Sequence, residues 1–67
     1  MASVAKILEL SADSEKSFDD ALKRGTKRAT EMIRNVRSVS IQDQEVILEG
    51  EATQLYRLHL KVTFELD

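Results

Sequence analysis

Residues 55–67 read Leu-Tyr-Arg-Leu-His-Leu-Lys-Val-Thr-Phe-Glu-Leu-Asp, and this stretch decides the fold class. Every even-numbered position from Tyr56 to Leu66 is aromatic or aliphatic, and every odd-numbered position from Arg57 to Asp67 is polar or charged. A period of two is typical of a β-strand that has one buried face and one polar face. We therefore predict a strand over residues 53–67 whose polar face meets other subunits or a ligand.

A segment with a helical period lies earlier in the chain. Apolar or small residues recur there at steps of mostly three and four, which places them on one stripe of a helix. The stripe consists of Phe18, Leu22, Gly25, Ala29, Met32, Ile33 and Val36. Acidic residues cluster at the start of the segment and basic residues follow, an order that complements the helix dipole. We predict a helix over residues 14–35, with Ser14 as its N-cap and Gly25 in close contact with a sheet.

The segment over residues 37–49 has the character of a strand with an irregularity. Its apolar residues stand at odd positions up to Ile41 and at even positions from Val46 onward. One extra residue between Gln42 and Glu45, a β-bulge, would return all of them to one face. The turn that follows predicts an antiparallel hairpin with the strand over 53–67.

The first strand is the apolar run Val4–Leu10, which ends in the polar cluster Ser11–Ser14 and predicts a strand over residues 3–11. The order is therefore β-α-β-β, which belongs to the α+β class. We expect a single domain over residues 1–67, in which a three-stranded antiparallel sheet carries the helix on one face.

Composition excludes several classes of protein. The chain has 67 residues, no cysteine and one histidine, so a disulfide framework and Cys/His zinc spacing are both excluded. Because so small a domain buries only about 60% of its unfolded surface, homo-oligomerisation is the expected support for its core. A net charge of −2 argues against nucleic acid as a partner, and no apolar run is long enough to span a membrane. The start of the chain lacks the pattern of a signal peptide, so we expect a cytoplasmic protein.

No catalytic set emerges from the sequence, and we expect a protein that is not an enzyme. His59 stands between Arg57 and Lys61 on the polar face, a setting typical of a surface or interface histidine. We interpret the carboxylates near the bulge and the turn as part of a solvated surface. The alternative is that, in a symmetric oligomer, the same carboxylate from several subunits binds a cation at a symmetry axis. The basic stripe on the helix likewise reads as a solvated outer face, with a phosphate-bearing ligand as the alternative; it consists of Lys23, Arg24, Lys27 and Arg28.

Four features in order resemble the dodecin family across essentially the whole chain. They are the β-α-β-β order, the opening Val-Ala-Lys-Ile-Leu-Glu-Leu-Ser at 4–11, the helix start Ser-x-x-Ser-Phe-Asp-Asp-Ala at 14–21, and the alternating ending at 56–66. The resemblance implies a hollow homododecamer of cubic symmetry, whose curved sheets wrap partly around the helices. It also implies that the polar face of the sheet builds the contacts between subunits and the ligand pockets. An unrelated α+β interaction module is the alternative.

Many dodecins bind flavins (FMN, FAD or riboflavin), and the resemblance indicates which residues here correspond to the flavin pocket. These residues are Arg37, Ser38, Asp43, Gln44 and Arg57. Ser38, or Ser40 if the register shifts by two, takes the place of a tryptophan that stacks on the flavin. Arg57 takes the place of a glutamine that bonds the polar edge of the ring. Loss of the stacking side chain is expected to weaken flavin binding by a factor of roughly 30 to 1,000.

A tryptophan-free branch of the family includes members described as calcium dodecins. This chain is similar to that branch at Tyr56-Arg57 and at Val36-Arg37. The sequence therefore leaves three functions open: a small-ligand binding and storage shell with a weakened flavin pocket, a flavin-free shell that binds calcium, and a purely structural shell. It does not name the residues that would bind the metal.

Overall fold

In the computed structural model, which describes residues 4–66, the elements follow the order β-α-β-β. They are β1 (Ala5–Ser14), α1 (Phe18–Met32), β2 (Val36–Glu49) and β3 (Ala52–Glu65). Both β1 and β2 pair with β3 in antiparallel orientation, so the sheet order is β1-β3-β2. The predicted fold class and the β2–β3 hairpin are confirmed, while the expected strand ends at Ser3 and Asp67 lie outside the described residues.

The core lies between α1 and the even-numbered residues of β3. Leu58, Leu60 and Val62 are almost completely buried there, and the facing helix contributes Ala21 and Ala29. These helix residues are small because the helix lies close to the sheet, and Gly25 is also buried. Across the part of the chain that the structure describes, no helix is long and apolar enough to cross a membrane.

Strand β1 is longer at its end than the sequence predicted. Every residue from Ala5 to Ser14 pairs with β3, so the strand does not end at Ser11. The polar residues Ser11 and Asp13 continue the alternation on the polar face, while Ala12 packs against the core. A polar cluster therefore marked one face of the strand and not its end.

The start of the helix also differs from the prediction, because the N-cap is Ser17 and not Ser14. The Ser17 hydroxyl accepts a hydrogen bond from the backbone N–H of Asp20 at 3.0 Å. Ser14, at the end of β1, is buried, and its hydroxyl accepts the N–H groups of Lys16 (2.9 Å) and Ser17 (3.3 Å). It also donates to the Asp20 carboxylate at 2.6 Å. Ser14 therefore organises the turn before the helix.

The helix ends at Met32, three residues before the predicted boundary. Ile33 is already extended, and Asn35 has a φ of 61°, in the left-handed region that asparagine tolerates better than most residues. This conformation reverses the chain into β2. Met32 was expected on the buried stripe, but it is 70% exposed because it lies at the last turn, beside the edge strand β1.

The bulge predicted between Gln42 and Glu45 lies at Gln42, where the register with β3 shifts between Ile41 and Asp43. It returns Val46 to the same face as Ile41, which is the helix-facing side of the sheet. That face is not buried in β2, however, because α1 lies mainly over β1 and β3. Ile41 is 48% exposed and Val46 is 42% exposed.

Candidate ligand-binding face of the sheet

The face of the sheet that points away from α1 carries polar side chains from all three strands. Residues that pair directly across strands project to the same face, so the register defines this polar face. Its members include Glu9, Ser11, Asp13, Ser38, Ser40, Asp43, Glu45, Arg57, His59, Lys61, Thr63 and Glu65. The polar face predicted from the alternation in residues 55–67 therefore includes all three strands, although Ile7, Ile47 and Leu55 are apolar residues on the same side.

Arg57 lies at the centre of an ion-pair network on this face. Its Nε donates to Oδ1 of Asp13 at 2.8 Å and its Nη2 to Oδ2 at 2.9 Å, a bidentate geometry that joins β3 to β1. Its Nη1 lies 4.0 Å from Oε1 of Glu45 on β2. The hydrogen bond from Arg57 is the main reason that the pKa of Asp13 falls below its ordinary value, and it raises the pKa of Arg57 in turn.

Glu45 connects this network to the histidine. His59 Nε2 lies 2.9 Å from Oε1 of Glu45, and both side chains are nearly half exposed. In the sheet, His59 pairs with Ser11 of β1 on one side and with Asp43 of β2 on the other. Asp13, Arg57, Glu45 and His59 therefore form one continuous network on the polar face.

The residues predicted to form a ligand pocket divide into two groups. Arg37 and Ser38 lie at one end of the face, where Ser38 pairs with Thr63 and Arg37 forms an ion pair with Glu65 at 3.0 Å. Asp43 and Arg57 lie toward the other end; Arg57 is six residues from Thr63 along β3, about 20 Å at the rise of a strand.

Gln44 differs from the other four predicted residues. It pairs with Leu58, which is fully buried on the core side, so the register places Gln44 on the helix-facing side of the sheet. One chain therefore does not bring the five predicted residues into one pocket. A pocket that uses residues from both ends of the face needs a second subunit.

The sequence was compared with models of known protein families. The model of the Dodecin family matches residues 4–67. The chain belongs to the dodecin family. Comparison with curated proteins gave no significant match.

Solved structures of dodecins share the fold. A dodecin from Streptomyces davaonensis superposes with a TM-score of 0.90 at 19% identity, covering 100% of this chain and 98% of its own. A protein from Thermus thermophilus gives a TM-score of 0.88 at 23% identity, with coverage of 98% and 97%. A calcium dodecin from Mycobacterium tuberculosis, described as a calcium-chelating antigen with a novel calcium-binding site, gives 0.84 at 23% identity and covers 97% and 93%.

The aromatic side chains of this dodecin lie on the opposite side from its polar face. The chain has one tyrosine, two phenylalanines and no tryptophan. Tyr56 packs edge to face on Phe18 of the helix with ring centroids 5.1 Å apart, and Phe64 pairs with Val36 on the helix-facing side. Within residues 4–66 the polar face therefore offers no tryptophan, tyrosine or phenylalanine ring on which a flavin could stack, and the exposed Ser38 supplies only a hydroxyl. This face does not fit a flavin in the manner of a tryptophan-bearing dodecin.

The carboxylates of the polar face do not gather into a metal site within one chain. Among residues 4–66, no three Asp, Glu, His or Cys side chains lie close enough together to hold an ion. An open pocket of about 370 Å³ beside the bulge is lined by Glu9, Gln42, Asp43 and His59, among others. Asp43 accepts the backbone N–H of Gln44 at 2.9 Å through Oδ1. A cation at this pocket would need further oxygen ligands from a neighbouring subunit.

Two residues of the network were not singled out by the sequence. Asp13 was assigned to a polar break after the first strand, and Glu45 was noted only as a carboxylate near the bulge. The register provides the missing signal: when Leu10 lies opposite Leu60, the antiparallel pairing places Asp13 opposite Arg57.

Proposed function

We propose that this dodecin is a cytoplasmic homododecameric shell that binds and stores a small ligand at sites between subunits, and that it is not an enzyme. The observation that carries the proposal is the apolar surface that one chain leaves exposed. Ile41, Val46 and Leu48 are 48%, 42% and 59% exposed, and all three belong to β2, the strand that α1 covers least. A chain of 67 residues needs that surface buried to stabilise its small core.

The separation of the predicted pocket residues supports a site that is shared between subunits. Ser38 and Arg57 lie about 20 Å apart on one chain at the rise of a β-strand. A ligand that touches both positions therefore takes them from different copies. Because Ser38 replaces a stacking side chain and Arg57 is held by Asp13, a flavin at such a site binds weakly.

A cation is the second candidate ligand, and the pocket beside the bulge favours it. Glu9 and Asp43 line that pocket from two different strands, and a symmetry axis would multiply their oxygen atoms. The fold similarity to the calcium dodecin of Mycobacterium tuberculosis agrees with this candidate. Calcium is the ion to test first, since it accepts six to eight oxygen ligands in flexible geometry.

Native mass spectrometry of protein purified without added cofactor tests the proposal. We expect a mass of twelve subunits, and a monomeric mass would contradict the shell. Titration of FMN with excess protein then tests the ligand: partial quenching of flavin fluorescence at high concentration supports the weak flavin site. If FMN fluorescence stays unquenched at all protein concentrations, the flavin site is contradicted. If the melting temperature of the protein also rises with calcium and falls with a chelator, calcium is supported as the ligand instead.

A further inference from the structure

The side of α1 that points away from the sheet carries a compact group of positive charges. Gly25 is buried against the sheet, so at 3.6 residues per turn the exposed positions two residues before and after it lie on the opposite side of the helix. Those positions are Lys23 and Lys27. Arg24 and Arg28 are also exposed and adjoin the two lysines on the side of β1. We call these four residues the basic face.

Most of the charge on the basic face has no partner on its own chain. Arg24 forms an ion pair with Asp20 at 2.8 Å. Arg28 donates through Nε to the neutral sulfur of Met32 at 3.3 Å, which leaves its charge uncompensated. Among residues 4–66 the two lysines form no ion pair with a carboxylate. Four cations less the paired one therefore leave three positive charges open to a partner.

The stability of the helix does not account for these charges. Cations stabilise a helix in its last turn, near the negative end of the dipole, but the last turn of α1 contains no basic residue. The two lysines are four positions apart, as are the two arginines, and like charges at that spacing destabilise a helix. Glu31, four positions after Lys27, offsets only part of this repulsion. An anionic partner would remove the remainder.

The surroundings of the basic face indicate which anion fits it. Small ligands bind in concave sites, whereas this face is the convex outer surface of a helix, so an extended anion fits better. Proteins that bind single-stranded nucleic acid add aromatic side chains on which bases stack, but Phe18, Tyr56 and Phe64 lie on the core side. A helix that enters a membrane surface uses its apolar face, and that of α1 is packed on the sheet.

We propose that the basic face of α1 binds linear polyphosphate, a flexible chain of phosphate groups without bases or lipid tails. The lysine and arginine side chains contact successive phosphates, and binding releases counterions from the chain. This site is separate from the polar face, which lies on the other side of the sheet, and it goes beyond the small-ligand function. In the proposed shell, one polyphosphate chain reaches several copies of the basic face, which raises the overall affinity without any new contact.

Fluorescence anisotropy of end-labelled inorganic polyphosphate, titrated with the protein at several salt concentrations, tests this site. We expect the logarithm of the binding constant to fall linearly with the logarithm of the salt concentration. Lys23→Gln combined with Lys27→Gln removes two charges and keeps residues of similar helix propensity. This double variant is expected to weaken binding about tenfold or more and to make the salt dependence shallower.

Lys6→Gln combined with Lys16→Gln is the matched control. Both lysines are exposed and lie outside the basic face, and the net charge of the chain changes by the same amount. Its affinity for polyphosphate should stay within about threefold of the wild type. Equal weakening by the two double variants would mean that net charge and not the basic face determines binding, and it would overturn the proposal.

Two further results also overturn it. One is a wild-type protein that does not bind polyphosphate at low salt. The other is tighter binding, at equal phosphate concentration, of a single-stranded oligoribonucleotide or of vesicles that contain phosphatidylglycerol, which would assign the face to nucleic acid or to a membrane. The shell is judged separately, because native mass spectrometry counts the subunits without polyphosphate. A monomer that binds polyphosphate through the two lysines supports this site and removes the shell.

Discussion

Arg57 of β3 donates two parallel hydrogen bonds to the carboxylate of Asp13 on β1, at 2.8 and 2.9 Å. The pair lies on the polar face of the sheet. Arg57 is also the residue that the resemblance to flavin-binding dodecins assigns to a ligand contact. Arginine and carboxylate match in bidentate geometry, so the guanidinium is oriented before any ligand arrives. A ligand that uses Arg57 must share it with Asp13 or displace that carboxylate.

The first prediction concerns the stability of the folded protein at acidic pH. The pKa of Asp13 in the folded protein lies below its ordinary value of 3.8, chiefly because Arg57 hydrogen-bonds the carboxylate. The pair therefore contributes stability fully above that ordinary value and loses it as the pH falls through the lowered pKa. We expect Asp13→Asn to have a lower melting temperature than the wild type at pH 7, and this difference to vanish toward about pH 2.

Glu15→Gln is the control for this experiment, because Glu15 is an exposed carboxylate in the turn before α1. Its melting curve should follow that of the wild type at both pH values. A deficit in Asp13→Asn that stays constant across the pH range would show that the pair with Arg57 is not its cause.

The second prediction restores a stacking side chain. Ser38 is exposed on the polar face, so Ser38→Trp places an indole there without disturbing the core. We expect the dissociation constant for FMN, measured by fluorescence quenching, to fall by a factor of roughly 30 to 1,000. Ser40→Trp is the matched control, since Ser40 is also exposed and lies on the same face, two residues along β2. Equal gains from both variants would contradict the assignment of Ser38 to the stacking position.

The third prediction concerns the close contact of the helix with the sheet. A Cβ atom at Gly25 would lie 2.6 Å from Cδ1 of Leu60 and 3.0 Å from Cβ of Ala12. Leu60 is almost fully buried and has little room to move. Overpacking therefore outweighs the gain of about 1 kcal/mol in helix propensity, and we expect Gly25→Ala to lower the free energy of unfolding by about 1–2 kcal/mol.

Urea denaturation measures this change, with Thr30→Ala as the control on the exposed face of the same helix. That control should change the free energy of unfolding by no more than about 0.5 kcal/mol. A Gly25→Ala variant more stable than the wild type would mean that the sheet and the helix can move apart at no cost.

The fourth prediction assigns the start of the helix. Ser17→Ala removes the hydroxyl that accepts the N–H of Asp20, and loss of such an N-cap costs about 1 kcal/mol in the free energy of unfolding. Ser11→Ala is the control, because Ser11 is exposed on the polar face of β1. Thermal unfolding followed by circular dichroism compares the two, and equal melting temperatures for both variants would remove Ser17 as the cap.

The sequence predicted the elements well because each has its own period. The alternation around Leu58 and Leu60 and the helical spacing of Gly25 and Ala29 both come from burial on one side, which periodicity reports directly. The boundaries were less accurate. Ser14 and Ser17 are both good N-cap residues by type. Ser14 is not the cap because it pairs with Tyr56 in the sheet, and this long-range pairing is not visible in the local sequence.

The site was harder to predict than the fold. A strand pattern shows that Arg57 lies on the polar face, but the neighbour of Arg57 depends on the register with two other strands. The pair with Asp13 spans 44 residues of sequence. In the proposed assembly, the exposed Leu48 would be covered by another subunit, and no local pattern specifies that partner.

The position of β3 in the sheet constrains how the chain is made. β3 lies between β1 and β2, yet the ribosome synthesises it after both. Until β3 has emerged, β1 has no strand with which to pair, and its apolar side chains stay exposed in the nascent chain. The sheet therefore forms late in synthesis, and a premature stop codon before Ala52 leaves a product with no sheet and a tendency to aggregate.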